Sequence, residues 1–546
     1  MLQTVSKNLK FFFIMFFLGV LLTGIFVPLY IDEISVKLLN ARFFLEGAEK
    51  FSLLPQCANT IGLMLSWVFY PAAIALSFVF QYLEPFGIRA SGVFFALVWF
   101  SLLAYWCYRQ TTEDWFTRFC FLIAFSALGV LPYLWVLSRS EQFIILSILI
   151  LCLLALYLPL KKSKWQSFIV TIAVVFIVSI FFYVHPKSLF FTPLILVLIW
   201  KITSSMHFFV RLSLFSYIIM LVFQVFFDAS LMSECNDAPI LRDLLKSYTL
   251  PLNLLIVHPF VFIELAFSNI IHLPERILNH LIFSNTFQSG WLPPLETPKI
   301  IRVLNEIIYY ILFVLVVLTH LLSIFLSIFL LIRQKLEFRV VVAALLAVAN
   351  IANAAFYVNQ SFYDGLQYIG FSLLILCLLL SLKDSVVFVF LYRFYRLFLI
   401  PLIVLSVISM STLLYFVTPI LWSNSNYEDA KIPGQNTSIP VFKVDKHLES
   451  IRKLGAVCNI PENNARSIVV DQMTYFAYIQ NSRPIHILYT ATDYFGADLK
   501  GKKLISFLET VNSPGVIARC DFFPEVFDAY KIKDGRGYCC ANLDKM

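Results

Sequence analysis

Charged residues are scarce in this 546-residue chain, where Asp, Glu, Lys and Arg together make up 14% of the sequence. Ordinary soluble domains carry about 25% charged residues. Hydrophobic residues instead reach 60%, and the mean hydropathy is +0.83. The composition therefore excludes a water-soluble globule. Apolar runs of about 17 to 25 residues recur along the chain and predict an α-helical polytopic membrane protein.

Repeats, metal motifs and a nucleic-acid signature are also missing. No internal repeat is visible, although a transporter of lipid-linked molecules is expected to show repeats or interrupted helices. No His, Asp or Glu motif has the spacing of a known metal site, so we predict no definite cofactor and leave a divalent cation open. The net charge of +8 comes from basic residues in short loops, which orient membrane helices and do not indicate nucleic-acid binding.

Twelve apolar runs are candidate membrane-spanning helices, and we expect about 11 to 13 crossings. The first run follows a short basic segment, residues 1–10, and lacks a small-residue cleavage site, so we expect an uncleaved first helix. The runs cover residues 8–29, 61–82, 91–108, 116–137, 142–160, 166–184, 188–203, 208–227, 303–332, 340–357, 367–382 and 397–420.

The basic loops between these runs predict the topology. They place the N-terminus in the cytoplasm and put the loop at Asp32 and the tail after Trp422 on the other side. Three runs between residues 61 and 137 then separate two outer segments, which requires an even number of crossings. One of the three must be re-entrant, interfacial or fused with a neighbour. We expect this of 91–108 or of its junction with 116–137.

Two outer loops are expected, at residues 30–60 and 228–302. The second is long and contains an apolar stretch, 250–273, that is interrupted by proline, histidine and glutamate. This pattern favours helices lying in the membrane interface over a further crossing. Ordered loops of this length are usually functional.

The composition becomes polar after the last apolar run. We predict a linker at 423–440 and a small soluble α/β domain at 441–546. The domain has no nucleotide-binding or metal-binding motif. Its predicted strands lie at 467–471, 484–489, 515–522 and 529–532, and its predicted helices at 446–454 and 502–511.

The ten cysteines fall into two groups. Those in polar segments predict an oxidising compartment and structural disulfides. Because the adjacent Cys539 and Cys540 rarely bond each other, Cys458 and Cys520 are plausible partners for them, although a pairing cannot be deduced from sequence. The polar group also contains Cys57 and Cys235, and the group expected to serve packing contains Cys107, Cys120, Cys152 and Cys377.

An acidic pair, Asp32 and Glu33, directly follows the first apolar run. One interpretation is that the pair only ends the helix and marks the interface. Charged groups beside a bilayer are costly, however, and commonly have a function. Adjacent residues on a helix point about 100° apart, so the two carboxylates cannot do the same work.

Five motifs follow one another along roughly residues 8–385. They are Asp32-Glu33 with Ala41-Arg42 and Gly47, Ser138-Arg139-Ser140-Glu141, His185-Pro186-Lys187 with Phe190-Phe191-Thr192-Pro193, the outer loop 228–302, and Tyr363-Asp364-Gly365-Leu366-Gln367-Tyr368. Their order resembles the GT-C class of glycosyltransferases, in particular the bacterial branch that includes protein O-mannosyltransferases and the aminoarabinose transferase. Ser188 stands where relatives carry glycine, and the proline expected after Tyr368 is absent.

The resemblance implies a GT-C fold and transfer of a sugar from a polyprenyl-phosphate donor to an acceptor hydroxyl on a glycan, lipid or protein. It implies Asp32 as the general base and Glu33 as its support, at the non-cytoplasmic face of a bacterial inner membrane. The leaving phosphate is a stable anion, so the site needs one base and cations but no general acid. The implied substrate-binding residues are Arg42, Arg139, Glu141, His185, Lys187, His258, Arg276, Tyr363, Gln367 and Tyr368.

Each of these residues also has an ordinary structural interpretation. Arg139 and Glu141 can be an interfacial ion pair, Lys187 can extend its charge to the interface, and Tyr363 can be an interfacial aromatic residue. For the whole protein, the alternatives are a transporter or flippase of lipid-linked glycans, a polysaccharide polymerase or ligase, and a non-catalytic scaffold.

Overall fold

The computed structural model describes most of the apolar part of the chain and parts of the tail. The described residues are 2–30, 33, 66–80, 83–111, 114–159, 163–234, 239–283, 298–382, 386–425, 441–460, 466, 468–471, 473–479, 481, 508, 513–523 and 525–545.

Helices dominate the described residues, as the composition predicts. Short 3₁₀ segments connect several of them, including Pro186–Phe191. The helices are α1 (Leu2–Thr23), α2 (Tyr70–Phe80), α3 (Pro85–Gln110), α4 (Trp115–Ser126), α5 (Leu131–Leu134), α6 (Ser140–Tyr157), α7 (Lys164–Val184), α8 (Thr192–Ile202), α9 (Phe208–Ser233), α10 (Pro239–Tyr248), α11 (Leu252–Val257), α12 (Pro259–Leu278), α13 (Lys299–Ile332), α14 (Phe338–Phe356), α15 (Asp364–Leu379), α16 (Val386–Ser425) and α17 (Asp445–Val457).

Eight helices in the described part of the chain are long and apolar enough to cross a membrane, which is consistent with an integral membrane protein. They lie in eight of the twelve predicted runs: the other four contain shorter described helices, α2, α4, α8 and α15. Every residue of α15 is buried. A helix with apolar residues on all sides can be buried among other helices of the same protein, so this pattern does not by itself show that the helix crosses the membrane.

The run at 91–108 is not the short segment that the topology argument expected. It lies inside α3, which has 26 residues because it begins at Pro85. The run at 116–137 is the interrupted one, since α4 ends at Ser126 and the chain turns at Gly129 with φ +55°. The early part of α3 contains Arg89, whose buried charge is compensated by the carboxylate of Glu33. That compensation cannot be seen in a local hydropathy pattern.

The chain divides into two compact units. Unit 1 contains Met1–Ile25, Ala90–Ile219 and Thr249–Ile420, and unit 2 contains Phe26–Arg89, Met220–Tyr248 and Leu421–Met546. The tail domain thus shares its unit with the segment that follows α1.

In unit 1, the apolar stretch at 250–273 forms two helices, α11 and α12, that meet at His258. Neither is among the membrane-spanning candidates in the described residues, and their location in the interface remains a prediction. Their large apolar side chains are exposed, with Phe260 at 86%. The pair is fastened to the end of α14, where Leu250 N–H donates to Phe356 O at 2.9 Å and Asn269 Nδ2 donates to Ala355 O at 2.9 Å.

In unit 2, the tail contains helix α17 and a small sheet. The predicted helix at 446–454 is confirmed within α17. The predicted strand at 515–522 is confirmed only in its first part, since β2 ends at Arg519 and residues Cys520–Phe522 form a 3₁₀ turn. The strand at 538–542 was not predicted. Most of 484–489 and 502–511 lies outside the described residues. The described strands are β1 (Val469–Val470), β2 (Gly515–Arg519), β3 (Ile532–Lys533) and β4 (Tyr538–Asn542), in the order β1-β2-β4-β3, with β1 and β2 parallel and the other pairs antiparallel.

Two disulfides cross-link segments within the tail domain. Cys458 pairs with Cys540 across a sequence separation of 82 residues, and Cys520 pairs with Cys539 across 19. The prediction that Cys458 and Cys520 are the partners of the adjacent pair is therefore confirmed. Cys107, Cys120, Cys152 and Cys377 are buried free thiols, as expected of packing residues, whereas Cys57 and Cys235 lie outside the described residues.

The two disulfides should be detectable because their cysteines cannot be labelled by a thiol reagent until they are reduced. We expect no labelling of the four tail cysteines in protein from an oxidising compartment, and full labelling after reduction and unfolding. Cys540→Ser should free Cys458 and destabilise the domain by about 2 to 4 kcal/mol. Cys152→Ser, which removes a free thiol, is the control. Peptide-level mass spectrometry reads out each cysteine, and labelling of Cys458 in the unreduced parent protein would contradict the pairing.

Candidate functional site

Three chain segments of unit 1 bring ionisable side chains together at their ends. The first is the start of α6, where Arg139 precedes the helix and Glu141 lies in its first turn. An acidic residue is favourable there because the helix N-terminus carries partial positive charge. Glu141 is fully buried and Arg139 is buried. The chain reaches this point close to α3, since a Cβ at Gly92 would overlap the Val136 carbonyl oxygen.

The second segment is the 3₁₀ turn at Pro186–Phe191, which carries Lys187. His185 precedes the turn, and its Nδ1 accepts a hydrogen bond from Lys187 N–H at 3.1 Å. Pro186 suits the first position of the turn because its missing N–H has no partner to lose. The lysine side chain is thereby directed into the protein, where Lys187 is 4% exposed.

The third segment is the start of α15, at Asp364. Its Oδ2 accepts a hydrogen bond from Ser361 N–H at 2.7 Å, which holds the turn before the helix. Its Oδ1 accepts a hydrogen bond from Lys187 Nζ. Asp364 was not among the predicted site residues. Its position between Tyr363 and Gly365, inside the motif that carried the resemblance, was the signal that could have identified it.

These segments form a charged cluster of four residues, Arg139, Glu141, Lys187 and Asp364. Lys187 Nζ lies 3.6 Å from Glu141 Oε1, and Arg139 Nε lies 3.4 Å from Glu141 Oε2. The Arg139 guanidinium carbon lies 3.7 Å from the centre of the Tyr363 ring. Counted over the described residues, two cations and two carboxylates make the charged cluster formally neutral, so these four side chains bury no net charge among themselves.

Electrostatics keep Lys187 protonated inside the charged cluster. Burial alone lowers the pKa of Lys187, but the carboxylates of Asp364 and Glu141 outweigh it and raise the pKa above the ordinary value. The nearby Tyr357 ring centre lies 5.5 Å from Lys187 Nζ. Burial raises the pKa of Tyr357 to about 12, so this residue stays a neutral hydrogen-bonding group.

Glu141 retains hydrogen-bonding capacity. Within the described residues, neither carboxylate oxygen accepts a hydrogen bond, and both ion-pair distances exceed those of ordinary charge-assisted hydrogen bonds. A buried carboxylate without hydrogen-bond donors is costly. Glu141 can therefore accept hydrogen bonds from the hydroxyl groups of a ligand.

The predicted residues on α15 enter a second polar network. Gln367 Nε2 donates to Asn350 Oδ1 at 3.3 Å, and Asn350 Nδ2 donates to His320 Nε2 at 2.9 Å. Tyr368 accepts a hydrogen bond from Asn353 Nδ2 at 3.0 Å. Gln367 and Tyr368 are buried between helices α13, α14 and α15. These hydrogen bonds join residues on different helices, so the periodicity within one helix cannot predict them.

Of the outer-loop candidates, Arg276 is ordered by contacts and His258 is exposed. Arg276 Nη1 donates to Val358 O at 2.7 Å and lies 3.4 Å from Asn269 Oδ1. No carboxylate pairs with Arg276 in the described part of the chain. Val358 directly follows Tyr357, the neighbour of Lys187. Arg276 is thus a partly buried cation whose charge is not compensated by an ion pair with any residue that the structure describes.

A separate pair of buried charges lies in unit 2. Glu33 and Arg89 are fully buried, with Arg89 Nη2 2.6 Å from Glu33 Oε2. Arg89 also donates to Val27 O at 2.8 Å and to Pro28 O at 2.7 Å, and Glu33 Oε2 accepts from Tyr30 N–H at 2.7 Å. Arg89 was missed by sequence reasoning. The only signal was an arginine placed shortly before an apolar run.

The two acidic residues differ in what the structure describes of them. The Glu33 carboxylate is engaged by Arg89 and by the backbone. Asp32 and Arg42 lie outside the described residues. Among the residues described, no group of three His, Cys, Asp or Glu side chains is arranged to hold a metal ion.

No protein-family model matches this sequence, and no curated protein matches it either.

Proposed function

We propose that the protein is a membrane glycosyltransferase that moves a sugar from a polyprenyl-phosphate donor to an acceptor hydroxyl on the non-cytoplasmic side. The observation that carries the proposal is the charged cluster of Arg139, Glu141, Lys187 and Asp364, buried at the ends of helices in a chain rich in membrane-spanning segments. Buried ionisable groups in such proteins are expensive and mark functional sites.

The zero net charge of the four side chains in the charged cluster suits the sugar part of the donor. A sugar is uncharged and presents several hydroxyl donors, and the Glu141 carboxylate has oxygens that accept no hydrogen bond from the described residues. Lys187 suits a positioning role better than contact with the donor phosphate. Its ammonium group is shared by two carboxylates, which would repel a phosphate at the same place. Lys187 therefore holds Glu141 and Asp364 in position.

Arg276 is the better partner for the donor phosphate. Its guanidinium group has no carboxylate partner in the described residues and is oriented by the Val358 carbonyl. A guanidinium matches the geometry of phosphate oxygens and stays charged at all relevant pH values. Its helix, α12, also exposes apolar side chains, which suits a donor that carries a long hydrocarbon chain.

Asp32 is the proposed general base. Its neighbour Glu33 is committed to Arg89, which leaves Asp32 as the carboxylate of the pair to accept the proton of the acceptor hydroxyl. The bond from the anomeric carbon to the phosphate oxygen breaks as the acceptor oxygen attacks. The phosphate leaves as an anion and needs no proton.

The two tail disulfides support a non-cytoplasmic location of the C-terminal domain. Stable disulfides form in oxidising compartments such as the bacterial periplasm. We therefore propose an inner-membrane protein whose tail domain lies on the same side as the lipid-linked donor.

The direct test is an assay in detergent with polyprenyl-phosphate pentoses and hexoses. The purified protein should release polyprenyl phosphate in the presence of a hydroxyl acceptor such as a glycan or lipid. Asp32→Asn, at matched folding, should abolish most of this release. Absence of turnover and of donor binding across the donor set would overturn the proposal.

Replacement of Arg276 should reveal the phosphate contact. We expect Arg276→Gln to weaken binding of a sugar-free polyprenyl phosphate by about 10-fold to 100-fold, because a charge-assisted contact is lost. Arg333→Gln is the matched control, since Arg333 is an exposed arginine that stacks on Phe329 after α13. Binding is measured by fluorescence titration in detergent. Lys187→Met should leave this affinity nearly unchanged. If Lys187→Met weakens binding as much as Arg276→Gln does, the phosphate contact belongs to the charged cluster and not to Arg276.

A transporter of lipid-linked glycans is the second candidate. The observation that favours it is the network of His320, Asn350 and Gln367, which lies between helices of unit 1. Polar residues inside membrane helices also mark transport pathways. Turnover in detergent, without sealed vesicles, separates the two functions because transport requires two compartments.

A further inference from the structure

The tail domain touches the segment that leaves the first helix, within unit 2. The ring of Phe442, at the start of the tail domain, lies 5.3 Å from the ring of Phe26 and 5.4 Å from the ring of Phe86. Phe26 precedes the acidic pair, and Phe86 lies in the first turn of α3. One aromatic side chain of the tail therefore bridges the two chain segments that the Glu33–Arg89 ion pair also joins.

The same contact continues into the core of the tail domain. Leu29 and Ile88 belong to a single cluster of buried apolar residues with Leu448, Ile451 and Tyr475 of the tail. Leu29 is fully buried and Ile88 is 4% exposed. The tail core thus includes side chains from both segments and is not confined to the tail sequence.

Residues 26–30 together with Glu33, which we call the acidic turn, are consequently held by two different kinds of contact. The Arg89 side chain donates hydrogen bonds to the backbone carbonyls of Val27 and Pro28 and pairs with the Glu33 carboxylate. The tail packs on its apolar side chains through Phe442. A polar contact fixes orientation, whereas apolar burial supplies free energy in proportion to the area removed from water.

We propose that the C-terminal domain is a brace that positions the acidic turn, with Phe442 as the positioning residue. The consequence for catalysis rests on the proposed function, since it follows from the assignment of Asp32, the residue before Glu33 in the sequence, as the base. The tail domain then needs no substrate of its own. Its contribution is to fix the residues that precede and follow Asp32 in the sequence, because a general base must stay within hydrogen-bond reach of its proton.

The brace can be tested without any activity measurement. A cysteine probe is placed at Tyr30, a half-buried position of the acidic turn whose backbone N–H binds Glu33. In full-length protein in detergent, Phe442→Ala should raise the labelling rate of Tyr30→Cys about tenfold, because loss of a packed aromatic side chain favours local opening. Phe442→Leu keeps an apolar contact and should restore most of the protection. Peptide-level mass spectrometry measures the labelling.

Phe523→Ala is the matched control. Phe523 is a buried aromatic residue of the tail that packs on Phe527, with ring centres 5.3 Å apart, outside the cluster that includes Leu29. It should leave labelling at position 30 unchanged. The same spectra check that both tail disulfides persist in every variant. Unchanged labelling in Phe442→Ala, or an equal rise in Phe523→Ala, would overturn the brace.

A second measurement connects the brace to the reaction. Phe442→Ala should lower kcat by several-fold at nearly unchanged KM for the donor, since only the position of the base is affected. Faster labelling together with unchanged kcat would retain the brace and remove the acidic turn from the active site. Failure of the proposed function is thus distinguishable from failure of the brace.

Discussion

Asp32→Asn is expected to lower turnover of a polyprenyl-phosphate sugar by at least about 10²-fold, the usual size of a general-base contribution. Asparagine keeps nearly the same shape but cannot accept the proton of the acceptor hydroxyl. Donor affinity should change little, because the donor phosphate is assigned to Arg276. Turnover is followed by release of polyprenyl phosphate in detergent, and donor binding by an independent titration.

The neighbouring carboxylate provides the comparison for this variant. Glu33→Gln removes the charge that compensates Arg89, so its effect on turnover should be accompanied by a loss of stability. Asp32→Asn should show the loss of turnover without the loss of stability. A well-folded Asp32→Asn protein with full activity would reject Asp32 as the base. If both variants are active, the glycosyltransferase proposal fails and the transporter becomes the leading candidate.

Breaking the buried ion pair of unit 2 is expected to be the most damaging change to stability. Arg89→Met leaves Glu33 as an uncompensated charge in a fully buried site. Loss of one partner of such a pair costs about 3 to 5 kcal/mol. The double variant Glu33→Met/Arg89→Met should be more stable than either single variant, because neither charge then remains buried alone. Denaturation in mixed micelles gives the double-mutant cycle.

An exposed ion pair in the same unit is the matched control. Lys453 Nζ lies 2.7 Å from Glu449 Oε1 on α17, and both side chains are largely exposed. Water screens such a pair, so Lys453→Met should produce no resolvable change in stability. Equal effects of Arg89→Met and Lys453→Met, or a double variant as unstable as the sum of the singles, would contradict the compensating role of Arg89.

The local patterns of the sequence determined the membrane helices and parts of the tail. Eight of twelve apolar runs correspond to helices long enough to cross a bilayer, because hydropathy over about 20 residues is a property of the segment itself. Helix α17 and strand β2 follow in the same way from periodicity and burial. The sequence also reduced the possible disulfide pairings in the tail. Adjacent cysteines such as Cys539 and Cys540 rarely bond each other, which left Cys458 and Cys520 as their partners.

Contacts between distant segments were decided by tertiary structure alone. Glu33 and Arg89 are 56 residues apart, and Lys187 and Asp364 are 177 apart. Neither pairing leaves a trace in local periodicity, because a charge is tolerated in an apolar setting only when folding brings its partner. The burial of Gln367 and Tyr368 and the contact of Phe442 with the acidic turn likewise depend on residues that are distant in the sequence. Residue types along the chain indicate which chemistry is available, and long-range packing decides which of those groups meet.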